Sequence, residues 1–129
     1  MANPKLRVFE AFAGYGGASF ALKKAKIAHQ TIGFSEIDKF AVELYQKNHK
    51  RVPFFGDITA IEPKALPDFD LFTGGFPCQD LSHAGGRTGL RPGTRSGLWK
   101  HMAYAIRELR PRLVVVENVR GILSASAAS

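Results

Sequence analysis

Of the 129 residues only Cys78 is a cysteine. One thiol excludes an internal disulfide framework and any zinc site built from several thiolates, and it points to a reducing, cytoplasmic compartment. Long apolar runs are also missing. No stretch approaches the roughly 18 residues that a membrane span needs, and the opening M-A-N-P-K-L-R-V-F-E carries no apolar signal core. Repeats and internal linkers are absent, which leaves a single domain as the expectation at this length. The composition is 45% hydrophobic and 22% charged, so the chain is not one too polar to form a core. At this size a fold can bury roughly two-thirds of the surface that the unfolded chain exposes.

Acidic residues are scarce in one place. Residues 1–86 are nearly balanced, with ten basic and nine acidic side chains. Residues 87–112 hold Arg87, Arg91, Arg95, Lys100, Arg107, Arg110 and Arg112 against Glu108 alone, a net charge of +6 out of +7 for the whole chain. A basic stretch concentrated in this way fits a polyanionic partner, because Lys and Arg on phosphates release counterions. A solvated basic face is the competing reading from charge alone.

The pattern along the chain alternates strand and helix. Strands are expected over residues 6–12, 31–37, 52–55, 69–73 and 113–117. Helices are expected over residues 18–25, 39–49 and 96–110. In the first helix Phe20, Ala21 and Leu22 are available for burial. The second has Phe40, Ala41, Leu44 and Tyr45 at helical spacing behind Asp38 as N-cap. Ser96 can cap the third, which Pro111 ends. The run L-V-V-V-E at 113–117 reads as a strand buried on both faces of a parallel sheet. The order predicts a doubly wound α/β domain.

Such sheets bind ligands beyond the carboxyl ends of their strands. The unusual residues fall there: Gly14, Gly16 and Gly17 after the first expected strand, Glu36 at the second, Asp57 after the third, Pro77 and Cys78 after the fourth, and Glu117 with Asn118 at the fifth. Each has an ordinary reading, as a turn glycine, a capping carboxylate or a small apolar thiol. Glu117 differs, because a carboxylate ending a triple-valine run must meet a cleft or a partner. Five such positions at five strand ends outweigh the ordinary readings. A dinucleotide site is a rival, but the fingerprint G-x-G-x-x-G wants a glycine where Ser19 stands. An adenosine cofactor without a pyrophosphate suits the glycine turn and Glu36 better.

F-A-G-Y-G-G (12–17), S-E-I-D (35–38), G-D-I (56–58), G-G-F-P-C-Q-D-L-S (74–82) and V-V-V-E-N-V-R-G (114–121) follow one another as in the cytosine carbon-5 DNA methyltransferases. The resemblance covers about residues 6–123, and F-P-C-Q followed by E-N-V is its most specific part. It implies a Rossmann-like S-adenosylmethionine-dependent methyltransferase fold, with an incomplete, mostly parallel sheet flanked by helices. It also implies that Phe12, Gly14, Gly16 and Gly17 form the S-adenosyl-L-methionine loop, and that Glu36 holds the ribose with Ile37 on the adenine. Asp57 would bond the adenine amino group, with Ile58 beside the ring. Cys78 matches the nucleophile and Glu117 the acid that contacts the target base. Pro77, Gln79, Ser82, Arg87, Arg91, Arg95 and Asn118 would meet the substrate or the DNA. The glycine- and arginine-rich stretch 80–97 resembles a lid that closes over the DNA backbone. No metal and no membrane are implied.

The family also carries a later arginine motif, a target-recognition region and a late segment of the cofactor pocket, none of which is found in the 129 residues. The expectation is therefore an N-terminal catalytic part over residues 1–123 and a low-complexity tail over 124–129. A complementing C-terminal chain or domain would be needed, and the last strand would present a hydrophobic edge. A bacterial or phage-encoded protein of the restriction-modification type is expected. An inactive or structural fragment, a tRNA cytosine-5 methyltransferase and a dinucleotide-dependent oxidoreductase are the alternatives.

Overall fold

The computed structural model describes residues 4–75 and 98–118. Four strands, β1 (Leu6–Ala11), β2 (His29–Phe34), β3 (Leu71–Gly74) and β4 (Leu113–Val116), form one parallel sheet in the order β2-β1-β3-β4. Helices α1 (Gly17–Lys24), α2 (Lys39–Asn48) and α3 (Trp99–Leu109) connect them, with two single 3-10 turns at Ile58–Ala60 and Pro63–Ala65. From β1 the chain moves out to β2, then returns to the far side of β1 at β3. That reversal makes a switch point between the carboxyl ends of β1 and β3, the place where open α/β sheets bind ligands.

Strand alternation sends β1 side chains to two different layers. Phe9 and Ala11 join Phe72, Ile58, Leu66, Met102 and Ala105 in the main apolar core on the α3 side. Phe9 packs against Phe55, Phe69 and Phe72 at ring-centroid distances of 5.7–6.0 Å. Each such side chain, fully buried, contributes roughly 1.5–3 kcal/mol. Glu10 faces the opposite layer, where Tyr45 of α2 stacks on Phe34 at 3.7 Å between centroids.

Three expectations are corrected. Residues 52–55 make no strand. Only Phe54 forms a bridge, to Phe34. Pro53 has no N–H to donate, and Gly56 at φ +77° turns the chain away two residues after the contact. The segment is held by two bonds, Phe34 N–H to the Pro53 carbonyl and Phe55 N–H to the Phe34 carbonyl. Second, β4 is not buried on both faces. Among the described residues it is the sheet edge, and Val114 and Val116 on the α3 side are 39% exposed while Val115 on the other side is 57% exposed. Third, the apolar faces of α1 and α2 are largely uncovered. Phe20 and Ala21 are exposed and Leu22 is half-buried, as is Ala41, while Phe40 is 83% exposed and Leu44 is exposed. The buried residues of these helices are Ser19 and Tyr45, both polar-tipped.

Helix ends follow local chemistry. Asp38 caps α2 by accepting from Ala41 N–H at 2.9 Å. Helix α3 starts at Trp99 behind Leu98, without a side-chain cap, and Ser96 lies outside the described residues. It closes on Arg110 in the left-handed region at φ +46°, immediately before Pro111.

Candidate active site at the sheet switch point

A cavity of about 510 Å³ opens at the carboxyl ends of β1, β3 and β4. Small-molecule sites span roughly 300–1,000 Å³. One wall is the turn after β1, the other is Thr73–Gly75 with Val115 and Glu117, and Glu10 lies at the floor.

The turn is built from left-handed backbone. Phe12 has φ +50°, Gly14 +55° and Gly16 +92°. A side chain in that region costs about 1–2 kcal/mol, so Phe12 needs outside support. Ala13 N–H donates to the Ser35 carbonyl at 3.0 Å, and Gly16 N–H closes onto the Ala13 carbonyl at 2.9 Å. A Cβ at Gly16 would collide with His49 Nε2, whereas one at Gly14 would meet nothing within 4 Å. Gly16 thus answers to the protein beneath it, and Gly14 to open space beside the cavity.

Glu36 ties this turn to α2. Its Oε1 accepts from Gly14 N–H at 2.9 Å, and its Oε2 accepts from Ile37 N–H at 2.7 Å and Asp38 N–H at 3.0 Å. An ionised carboxylate offers about four acceptor positions, which leaves one for a ligand. Ile37 beside it is exposed. Glu36 N–H bonds the Gly56 carbonyl at 3.0 Å, which brings the turn before Asp57 to the same strand end. Asp57 Oδ1 accepts from Thr59 N–H at 2.8 Å, and Ile58 is buried in the α3-side core.

Glu117 is exposed at the end of β4, anchored by its N–H to the Gly74 carbonyl at 2.9 Å. A Cβ on Gly75 would stand 3.1 Å from Glu117 Oε2, so the glycine lets the carboxylate lie close to the backbone leaving β3. Asn118 follows, half-buried. The geometry therefore brings Phe12, Gly14, Gly17 and Glu117 to one cavity, with Gly16 behind its wall, while Glu36, Ile37 and Asp57 flank the turn. Pro77, Cys78, Gln79, Ser82, Arg87, Arg91 and Arg95 lie outside the described residues, as does the whole stretch 80–97 read as a lid. Among the described residues no group of three or more His, Cys, Asp or Glu could hold a metal ion, and no helix is long and apolar enough to cross a membrane.

Sequence reasoning missed the buried polar cluster under the cavity. Glu10 is 1% exposed. It accepts from Ser19 Oγ and, at 3.1 Å, from Tyr45 Oη, and Ser19 Oγ lies 2.8 Å from Thr31 Oγ1. Burial pushes the Glu10 carboxyl above its ordinary value, against the hydrogen bonds from Ser19 and Tyr45 and the charge of His29, which pull it down. Tyr45 is pushed up by burial and by the neighbouring Glu10. His49, against Phe20, Tyr45 and Gly16, is held below its usual value by burial and by the charges of Lys23 and His29. The available signal was a lone acid inside the apolar strand L-R-V-F-E-A.

This set, a glycine turn at the switch point facing a strand-end glutamate, is that of an α/β methyltransferase, and the chain belongs to the C-5 cytosine-specific DNA methylase family, whose model matches residues 6–128. It is 41% identical over 122 residues to the orphan methyltransferase M.Rho11sI of Bacillus phage rho11s, covering 93% of this chain and 24% of that one. To the type II methyltransferase M.HhaI of Haemophilus parahaemolyticus it is 37% identical over 119 residues, covering 92% and 35%. The crystal structure of the S. pombe Dnmt2 methyltransferase superposes with a TM-score of 0.72 at 25% identity, covering 95% of this chain and 36% of that one. A Dnmt2 mutant from Spodoptera frugiperda shares the fold with a TM-score of 0.74 at 18% identity. The chain spans about a quarter to a half of the length of the curated relatives it matches.

Proposed function

We propose that this chain is the N-terminal, catalytic part of a DNA cytosine carbon-5 methyltransferase that uses S-adenosyl-L-methionine and forms a covalent cysteine intermediate. The observation that carries the reading is the placement of Glu117 across one cavity from the glycine turn, against Gly75, three residues before Cys78.

The cavity and the residues flanking the glycine turn fit the cofactor on their own features. Gly14 leaves open space where a side chain would stand, Ile37 offers an exposed apolar platform, and Glu36 has one acceptor position left for a hydroxyl. Phe12, Gly14, Gly17, Glu36, Ile37 and Asp57 would hold it, with Gly16 shaping the turn from behind and Ile58 buried in the core beneath. When bound it supplies an electrophilic methyl group on a sulfonium.

Carbon 5 of cytosine is a weak nucleophile while the ring is aromatic. The Cys78 thiolate adds to carbon 6 and forms a C–S bond, and the displaced electron pair makes carbon 5 enamine-like. Glu117, carrying or sharing a proton at ring nitrogen 3, neutralises the charge that develops there and accepts from the exocyclic amine. Once carbon 5 is methylated, loss of its proton to a base restores the double bond and expels Cys78 as thiolate. These positions are hidden in a duplex, so the base is flipped out of the stack. Pro77, Gln79, Ser82 and Asn118 would line its pocket, with Arg87, Arg91 and Arg95 on phosphates.

Sequence selection and completion of the cofactor pocket fall to a complementing C-terminal chain or domain. Among the described residues the edge of β4 is uncovered, which supports this, because a hydrophobic edge strand calls for a partner. A restriction-modification or phage setting accords with the named relatives, and a cytoplasmic location with the lone thiol. The test is transfer of labelled methyl from S-adenosylmethionine to DNA and to tRNA, by the chain with and without such a partner. Transfer to DNA supports the proposal. Transfer to tRNA alone assigns the related RNA activity, and no transfer with a partner present leaves the reading of an inactive fragment.

A further inference from the structure

Beneath the cavity, Glu10 joins three elements that the glycine turn depends on. Its backbone carbonyl accepts from Ser35 N–H at 2.9 Å, and the Ser35 carbonyl in turn receives Ala13 N–H. Its side chain accepts from Ser19, in the first turn of α1, and from Tyr45 of α2, both at the same oxygen, Oε1. Ser19 has one proton, and donating it to Glu10 leaves Thr31 of β2 as the donor in the Ser19–Thr31 bond. Tyr45 also packs, with His49, directly under Gly16. A movement of Tyr45 or Ser19 therefore moves the base on which Gly16 and Gly17 rest.

We propose that Glu10 is a positioning residue for the glycine turn, its carboxyl group fastening Ser19 and Tyr45 so that Phe12–Gly17 keeps the shape that receives the cofactor. This rests on the cofactor reading above. Both hydroxyls sit on Oε1, the Ser19 backbone N–H also points to the carboxyl, and burial favours its protonated form against them. The groups facing the carboxyl are Ser19 from α1, Tyr45 from α2, Thr73 from β3 and, through charge, His29 from β2, with Glu117 across the cavity. Ionisation of Glu10 leaves a buried charge held only by the Ser19 and Tyr45 hydroxyls and the Ser19 N–H, which favours opening of the α1–α2 layer and a looser turn. Glutamine reproduces the neutral form: one oxygen accepts both hydroxyls and no charge appears.

The experiment is a calorimetric titration with S-adenosylhomocysteine between pH 5.5 and 9 of the 129-residue chain supplied with its complementing C-terminal polypeptide, with a thermal melt of each sample. This product lacks the sulfonium charge, so attraction to a carboxylate at sulfur plays no part. Wild-type affinity should fall by about threefold or more toward alkaline pH. Glu10→Gln should match the acid-side wild-type value within about twofold and stay flat. Ser19→Ala and Tyr45→Phe, each losing one hydrogen bond, should weaken binding by about three- to tenfold. Wild-type binding with no pH dependence, or affinity unchanged in Ser19→Ala and Tyr45→Phe, overturns the positioning role alone. A wild-type chain that binds no S-adenosylhomocysteine at any pH overturns the cofactor reading and this inference together.

Discussion

Gly14 and Glu36 are joined by a 2.9 Å hydrogen bond that spans 22 residues of sequence and two strand ends. The same carboxylate collects Ile37 and Asp38 N–H, so one side chain sets the glycine turn against the start of α2. Hydrogen bonds to a charged acceptor contribute roughly 1.5–3 kcal/mol each when shielded. Glu36→Ala is therefore expected to lower stability by about 2 kcal/mol and to weaken S-adenosylhomocysteine binding at least tenfold. Glu36→Gln, with one acceptor oxygen for three donors, should fall between. Thermal unfolding and calorimetry read both effects.

The two glycines of the turn should fail differently. Gly16→Ala sets a Cβ against His49 at φ +92° and should unfold the chain at a clearly lower temperature, with a loss of about 2 kcal/mol or more. Gly14→Ala meets no protein atom, so its cost is the left-handed backbone, about 1 kcal/mol. Its methyl group stands beside the cavity, and ligand affinity should drop by more than stability does. Equal losses of affinity relative to stability in the two variants would contradict the assignment of Gly14 to the ligand.

Much of this arrangement was legible in the sequence because period and punctuation agree with the tertiary structure. The strand at L-R-V-F-E-A, the Asp38 cap and the stop at Arg110–Pro111 each follow local rules that packing does not override. What escaped depends on contacts distant in sequence. Pro53 removes the donor that a strand at 52–55 needs, yet V-P-F-F still reads as β-prone. The valines of β4 read as doubly buried because periodicity reports hydrophobicity, not which neighbour is present to cover it. Glu10 and Ser19 drew no role from the sequence, and only the fold shows that they meet each other, together with Tyr45, in one buried cluster.

Two groups give the stability of the chain opposite slopes with pH. Glu10 is raised when folded, so the folded state holds its proton more tightly than the unfolded one. Stability from this group is greatest at acid pH and falls as pH climbs from the ordinary carboxylate value to the raised one. His49 is lowered when folded, so stability is lost as pH drops from the ordinary imidazole value toward the lowered one. Chemical denaturation across pH should show the first slope vanish in Glu10→Gln and remain in His49→Gln.

The basic stretch 87–112 should bind DNA in a salt-sensitive and nearly sequence-blind manner, because phosphate contacts position a protein while base edges specify. If about three of its cations reach phosphates at once, the slope of log affinity against log salt should be near −3. Tenfold or greater preference among mixed-sequence duplexes by this chain alone would contradict the assignment of sequence reading to another polypeptide.

The central claim is that Cys78 attacks cytosine carbon 6 beside Glu117. The measurement is covalent trapping on DNA whose cytosine carries fluorine at carbon 5, with S-adenosylmethionine and a complementing C-terminal polypeptide supplied, followed by mass mapping of the adduct. The account expects an adduct on Cys78, none with Cys78→Ala, and a rate reduced about 100-fold or more with Glu117→Gln. An adduct that forms at the normal rate with Cys78→Ala would place the nucleophile elsewhere and contradict the mechanism.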